Sequence, residues 1–101
     1  MKEQKKTHLL SGIKVIDAAS FIAGPSAATI MSDYGAEVIK VEPQTGDSLR
    51  NLITNGRMPE GPENYCWELT SRNKKSISLN LKDQKAHEIL IDLIKEADVF
   101  I

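Results

Sequence analysis

SGIKVIDAASFIAGPSAATIMSDYGAEVIKVE, residues 11–42, reads as strand, tight loop, helix, strand. Ile13 to Asp17 and Val38 to Val41 are short apolar runs rich in β-branched residues, the pattern of buried strands. Between them Ala27, Ile30, Met31 and Tyr34 recur at the spacing of one helical face. Pro25 suits the first turn of that helix, where its missing N–H costs nothing, and Gly35 suits the position just past its end. Two strands joined by one helix make a βαβ unit, with parallel strands and a right-handed crossover. In open sheets of this kind ligands sit beyond the carboxyl ends of the strands, at the helix N-terminus. Here that place is Phe21-Ile22-Ala23-Gly24-Pro25.

Around this unit the chain divides into a polar tail, residues 1–10, and an α/β segment, residues 11–101. Pro43 to Glu63 carries Gly46, Gly56, Pro59, Gly61 and Pro62 and reads as a long loop. Ser48 to Thr54 and Asn64 to Thr70 are each long enough for a short helix. Ser76 to Lys82 alternates strictly: Ile77, Leu79 and Leu81 point one way, Ser76, Ser78 and Asn80 the other. The spacing predicts a strand with one polar face, at an edge or covered on one side. Asp83 is placed to cap a helix over Gln84–Glu96, whose Ala86, Ile89, Leu90, Leu93 and Ile94 form, with Ala97, one apolar stripe. Val99-Phe100-Ile101 then reads as the opening of another buried strand. A chain ending on such residues is expected to be the N-terminal piece of a larger α/β protein, since natural domain boundaries are polar and exposed. The predicted fold class is thus a Rossmann-like βαβ parallel-sheet fragment with helices packed on the sheet.

Composition narrows the function. The 101 residues are 41% apolar and 27% charged with a net charge of −1, values of a globular protein that argue against a nucleic-acid partner. No apolar run approaches the ~20 residues of a membrane span, and the N-terminus has no apolar core of a secretory signal. Cys66 is the only cysteine, so an internal disulfide and a thiol-based metal cluster are excluded, and a reducing cytoplasm is expected.

Glu42 ends the second strand where an acidic residue would hold a ribose hydroxyl, but the glycine-rich dinucleotide fingerprint is absent and Gly24 stands alone. Arg72, Lys74, Lys75 and Lys82 read either as a solvated face or as a phosphate clamp. His8 and His87 have no second ligand at metal spacing, Cys66 has no evident base, and Asp17 reads as a hydrogen-bonding loop carboxylate. No nucleophile or acid–base pair can be named from these residues, which describe a ligand-binding α/β unit and nothing finer.

Several stretches fit one pattern together. L-S-G-I-K-V-I-D, A-G-P, D-Y-G-A-E-V-I-K-V-E and G-D, followed by SRNKKSISLNLKDQKAHEILIDLIKEADVFI, resemble in order and spacing the N-terminus of the class III CoA-transferases. That family includes formyl-CoA transferase, carnitine and bile-acid CoA-transferases and α-methylacyl-CoA racemase. The resemblance implies an intertwined homodimer with a Rossmann-like large domain. It also implies coenzyme A or acyl-CoA and carboxylic acids as substrates, with no covalently bound cofactor; the residues themselves lead to the expectation of no metal and of neither nucleic acid nor membrane as partner. CoA moves through an aspartate that becomes an acyl anhydride and then a thioester.

Matched residue by residue, Ile22 and Ala23 correspond to the loop beside the thioester end of CoA. Leu79, Asn80, Leu81 and Lys82 correspond to a CoA-contacting segment, with Lys82 the candidate for phosphate. Ile22 stands where some transferases have Gln, Pro43 where formyl-CoA transferase has Arg, Lys75 for a common Arg and Asn80 for a common Asp; these departures count against formyl-CoA in particular. The catalytic aspartate of the transferases, like the His and Asp of the racemase, lies downstream of the A-D-V strand, so no catalytic residue is assigned here and the chain alone is expected to be inactive. The alternatives are a fragment of the racemase branch and a non-catalytic binding or interaction module.

Overall fold

The two apolar runs become neighbouring parallel strands. A computed structural model describes residues 7–101; the expected polar tail lies outside the described residues over residues 1–6. The elements are β1 (Lys14–Asp17), α1 (Ala23–Asp33), β2 (Glu37–Glu42), α2 (Tyr65–Ser71), β3 (Lys74–Ser78), α3 (Gln84–Lys95) and β4 (Val99–Phe100). The four strands form one all-parallel sheet in the order β3-β2-β1-β4. The chain steps outward from β1 through β2 to β3, then returns to the far side of β1 for β4. None of the described helices is long and apolar enough to cross a membrane.

Register fixes which residues share a face. Val15 pairs with Val38, Ile16 with Ile39, Asp17 with Lys40, and Lys40 in turn with Ser76. Alternation then gives two rows. Ile16 and Val41 pack with Leu79, Ala86 and Leu90 on the α3 side, while Val15 and Val38 pack with Ala28 and Ala36 on the α1 side. The result is a helix–sheet–helix sandwich. The α1-side row changes character along the strands: apolar at Val15 and Val38, charged at Asp17, Lys40 and Glu42, all of them buried.

Three elements differ from expectation. The buried residues of α1 are Pro25, Ala28, Thr29 and Ser32, whereas Ile30 and Tyr34, read as its inner face, are more than half exposed. Small residues let the helix sit close, and its hydroxyls turn to backbone: Thr29 Oγ1 donates to Pro25 O at 2.9 Å and Ser32 Oγ to Thr29 O at 2.6 Å. Residues 48–54 form successive turns rather than a helix, tied by Asn51 N to Asp47 O and Asn55 N to Asn51 O. The strand expected over Ser76–Lys82 is Lys74–Ser78; it is an edge strand, as read, but Leu79–Lys82 leave the ladder and Leu81 is 42% exposed.

The remaining segments follow the sequence more closely. Asp83 caps α3, its Oδ1 accepting from Lys85 N at 3.2 Å, and Leu90 and Ala86 anchor the helix while Ile89 stays outside the buried core. β4 pairs with β1, but Phe100 is exposed rather than buried. Gly35 takes φ +102° after α1 and lies against the chain entering β1, where an added Cβ would stand 2.6 Å from His8 Cβ. Leu10 N donates to Tyr34 O at 2.8 Å in the same corner.

Candidate functional site

The carboxyl ends of β2 and β3 open into a cleft. Leu79 N donates to Glu42 O at 2.9 Å, so the two chains leave the sheet side by side and then diverge. Pro43, Gln44 and Thr45 form one wall; Leu79, Asn80, Leu81 and Lys82 form the other, around a volume of about 520 Å³. The second wall is a turn: Asp83 N donates to Asn80 O at 2.9 Å, and Asn80 Oδ1 accepts from Lys82 N at 3.3 Å. Leu79 is buried and roots the turn in the core, while Leu81 remains open to solvent.

Of the basic residues flanking β3, Lys82 alone makes no ion pair among the described residues. Arg72 grips Asp33, with Nη2 at 2.6 Å from Oδ2 and Nε at 3.1 Å from Oδ1. Lys74 is buried against Asp17 at 2.9 Å, and Lys75 stands 3.8 Å from Glu37. The four therefore do not act together as a phosphate clamp, and Lys74 is not part of a solvated face.

Glu42, placed by sequence where a ribose would be held, is already engaged. It accepts from Arg50 Nε at 2.8 Å, Arg50 Nη2 at 2.7 Å, Ser76 Oγ at 2.5 Å and Asp47 N at 3.0 Å. Burial pushes this carboxyl up, but the Arg50, Ser76 and Asp47 hydrogen bonds, together with the Arg50 charge, prevail and hold it down at about 2. Arg50 also stacks 4.0 Å over the Trp67 ring. These contacts pin residues 43–50 against the sheet and thereby fix the Pro43–Thr45 wall.

The loop after β1 forms a second feature. Ile22 is the residue preceding α1, 47% exposed, and Ala23 is the first helical residue. Phe21 has φ 68°, the left-handed region that a bulky side chain rarely occupies. Gly24 is required by contact: a Cβ there would stand 2.5 Å from Ala19 Cβ and 3.2 Å from Ile101 Cγ2. Ile22 lines an apolar cavity of about 600 Å³ with Phe21, Leu49, Leu52, Met58 and Leu69 among others. Leu79, Asn80, Leu81 and Lys82 are thus brought together in one cleft, Ile22 lies in another, and Ala23 lines neither. Both features sit on the carboxyl-end rim of the sheet.

The model of CoA-transferase family III matches residues 10–101. This chain belongs to CoA-transferase family III. It is 45% identical over 94 residues to (R)-2-hydroxy-4-methylpentanoate CoA-transferase of Clostridioides difficile, covering 92% of this chain and 24% of that protein. Cinnamoyl-CoA:phenyllactate CoA-transferase of Clostridium sporogenes is 43% identical over 99 residues, 97% of this chain and 24% of its own length. Among solved structures, a CAIB/BAIF family protein from Brucella suis superposes with a TM-score of 0.79 at 31% identity, covering 94% of this chain and 25% of that one. The chain spans about a quarter of the length of these family III relatives.

Two groups that shape this rim carry no joint signal in the sequence reading: the Pro43–Thr45 wall and a buried set of charges, Asp17, Lys40, Asp47 and Lys74. A partial signal for the second was present. Lys40 interrupts the apolar run Val38 to Val41, and a lysine inside a buried strand demands a counter-ion.

Proposed function

We propose that this chain supplies the N-terminal, CoA-binding part of a class III CoA-transferase, which moves CoA between carboxylic acids. The observation that carries this reading is the cleft between Pro43–Thr45 and Leu79–Lys82, beyond the carboxyl ends of two adjacent parallel strands, where open α/β sheets receive ligands. Its chemistry suits CoA: Lys82 offers an ammonium with no ion pair among the described residues for phosphate, Leu79 and Leu81 offer apolar surface, and Asn80 a polar side chain. Ile22 and Ala23 meet the thioester end. The transfer itself runs through an aspartate outside residues 1–101, which splits one difficult exchange into an anhydride step and a thioester step. The intertwined homodimer and the cytoplasmic setting belong to the same proposal.

Calorimetric titration of CoA into the chain tests it. Binding is expected, with Lys82→Ala weakening it about tenfold, the low end of one charge-assisted contact. An absence of CoA binding, or an affinity indifferent to Lys82→Ala, overturns the assignment of this cleft.

A further inference from the structure

Four charged residues, three on the α1 face of the sheet and one in the loop after β2, are packed with almost no exposure. Asp17 and Lys40 are 0% and 1% exposed, Asp47 is 2% exposed, and the Lys74 side chain is 2% exposed. Lys40 Nζ lies 3.6 Å from Asp17 Oδ1 and 3.4 Å from Asp47 Oδ2, and Lys74 Nζ lies 2.9 Å from Asp17 Oδ2. The set is neutral. Pairing alone does not account for it, because well-packed apolar side chains fill such a volume without the desolvation penalty of four ions.

The other bonds of the set converge on one short stretch of backbone. Lys40 Nζ donates to Ala19 O, and Asp17 Oδ1 accepts from Ala19 N at 3.1 Å. Asp47 Oδ1 accepts from Phe21 N at 3.2 Å, and Lys74 Nζ donates to Pro25 O at 2.7 Å. A single further bond, from Leu49 N to Asp47 Oδ1 at 2.9 Å, goes elsewhere. The loop so gripped is the one that holds Phe21 at φ 68°. A bulky residue stays in that region only where its surroundings over-determine it. Four backbone groups between Ala19 and Pro25, each bonded to a buried ion from β1, β2, β3 or the loop after β2, supply that constraint.

We propose that Lys40, Lys74, Asp17 and Asp47 are positioning residues for ligand binding: they lock Ala19–Pro25 in the arrangement that presents Ile22 and Ala23 to the thioester end of CoA. This rests on the placement of CoA given above. None of the four touches the ligand; they act through the loop. Lys40 and Lys74 are committed to this work and leave the phosphate to Lys82.

Amide hydrogen exchange and two ligands separate this role from plain stability. In the ligand-free chain the Phe21 amide is expected to exchange at least tenfold more slowly, relative to its intrinsic rate, than the amides of Ile22 and Ala23, for which no acceptor exists among the described residues. Equal exchange overturns the lock. In Asp47→Asn the Phe21 protection is expected to fall, and acetyl-CoA affinity to drop at least tenfold, while adenosine 3′,5′-bisphosphate, which lacks the thioester arm, loses less than twofold. Equal losses on both ligands, or none on either, overturn the proposal. Should Asp47→Asn show no folded circular dichroism, Lys74→Arg, which keeps the charge but misplaces the contact to Pro25, is judged by the same criteria. A wild-type chain that binds neither ligand overturns the CoA placement, and the Phe21 exchange rate then decides on its own whether the ions hold the loop.

Discussion

Lys74 on β3 reaches across β2 to Asp17 on β1, its Nζ 2.9 Å from Oδ2, with neither side chain more than 2% exposed. Lys75, its neighbour in sequence, points to the other face, 72% exposed and 3.8 Å from Glu37. Adjacent residues of one type therefore carry very different energetic weight. Lys74→Met leaves a buried carboxylate without one of its two cations and is expected to cost about 3–5 kcal/mol. Lys75→Met removes a solvated pair and is expected to stay within about 0.5 kcal/mol. Urea unfolding of the two variants checks this; similar midpoints would contradict the buried pairing.

Acid stability is expected to depend on Glu42. Its carboxyl titrates at about 2 in the folded chain against an ordinary 4.5. A lowered folded value favours the native state above the unfolded value, so this contribution is complete above pH 4.5 and disappears as pH falls toward 2. The full difference between the two values corresponds to about 3 kcal/mol, which solvent screening at the rim reduces to about 2 kcal/mol. Unfolding free energies measured from pH 6 to pH 2.5 are expected to fall less steeply in Glu42→Gln than in the wild type. Parallel slopes would show that the Arg50–Glu42–Ser76 contacts do not bear on stability.

Gly24→Ala sets two effects against each other. Alanine is the better helix former by up to about 1 kcal/mol. The new methyl, however, stands 2.5 Å from Ala19 Cβ and 3.2 Å from Ile101 Cγ2, and overpacking of this kind costs about 1–3 kcal/mol. The clash is expected to prevail and lower the melting temperature by about 5–10 °C, with the Phe21–Ala23 loop displaced. A raised melting temperature would mean that Ala19 yields at no cost.

Trp67 is the single tryptophan of the chain, so its fluorescence reports on Arg50, which sits 4.0 Å over its ring. Arg50→Met removes the stacked cation and both contacts to Glu42. The emission of Trp67 is expected to change in intensity and position. Stability is expected to fall by about 1–3 kcal/mol, the scale of hydrogen bonds to a charged group. An unchanged spectrum would place Arg50 away from the ring.

Much of the sheet was legible in sequence because burial on both faces leaves a compositional mark: KVID and EVIKVE pair in the order their β-branched runs announce. The limits of β3 are shifted from the alternation that starts at Ser76, since Lys74 and Lys75 do not look like strand residues until Lys74 finds Asp17, fifty-seven positions away. The inner face of α1 differs from the sequence reading for a related reason. Large apolar residues suggested Ile30 and Tyr34, but close approach to the sheet selects Ala28, Thr29 and Ser32. The Leu79–Lys82 wall was legible as a segment, through family resemblance. Its partner wall at Pro43–Thr45 carries no local pattern and becomes visible only when β2 and β3 are placed side by side.

The change from valine to charge along the α1-side row also governs how the strands find their alignment. Sliding β2 by one residue against β1 would thrust Asp17 or Lys40 toward the α3-side core; sliding it by two would set Lys40 opposite Val15. Either error strands ions in an apolar layer without counter-charges, at a cost comparable to the whole stability of a small domain. The buried ions are therefore expected to specify the strand register more than to strengthen it, because each neighbouring alignment leaves them unpaired.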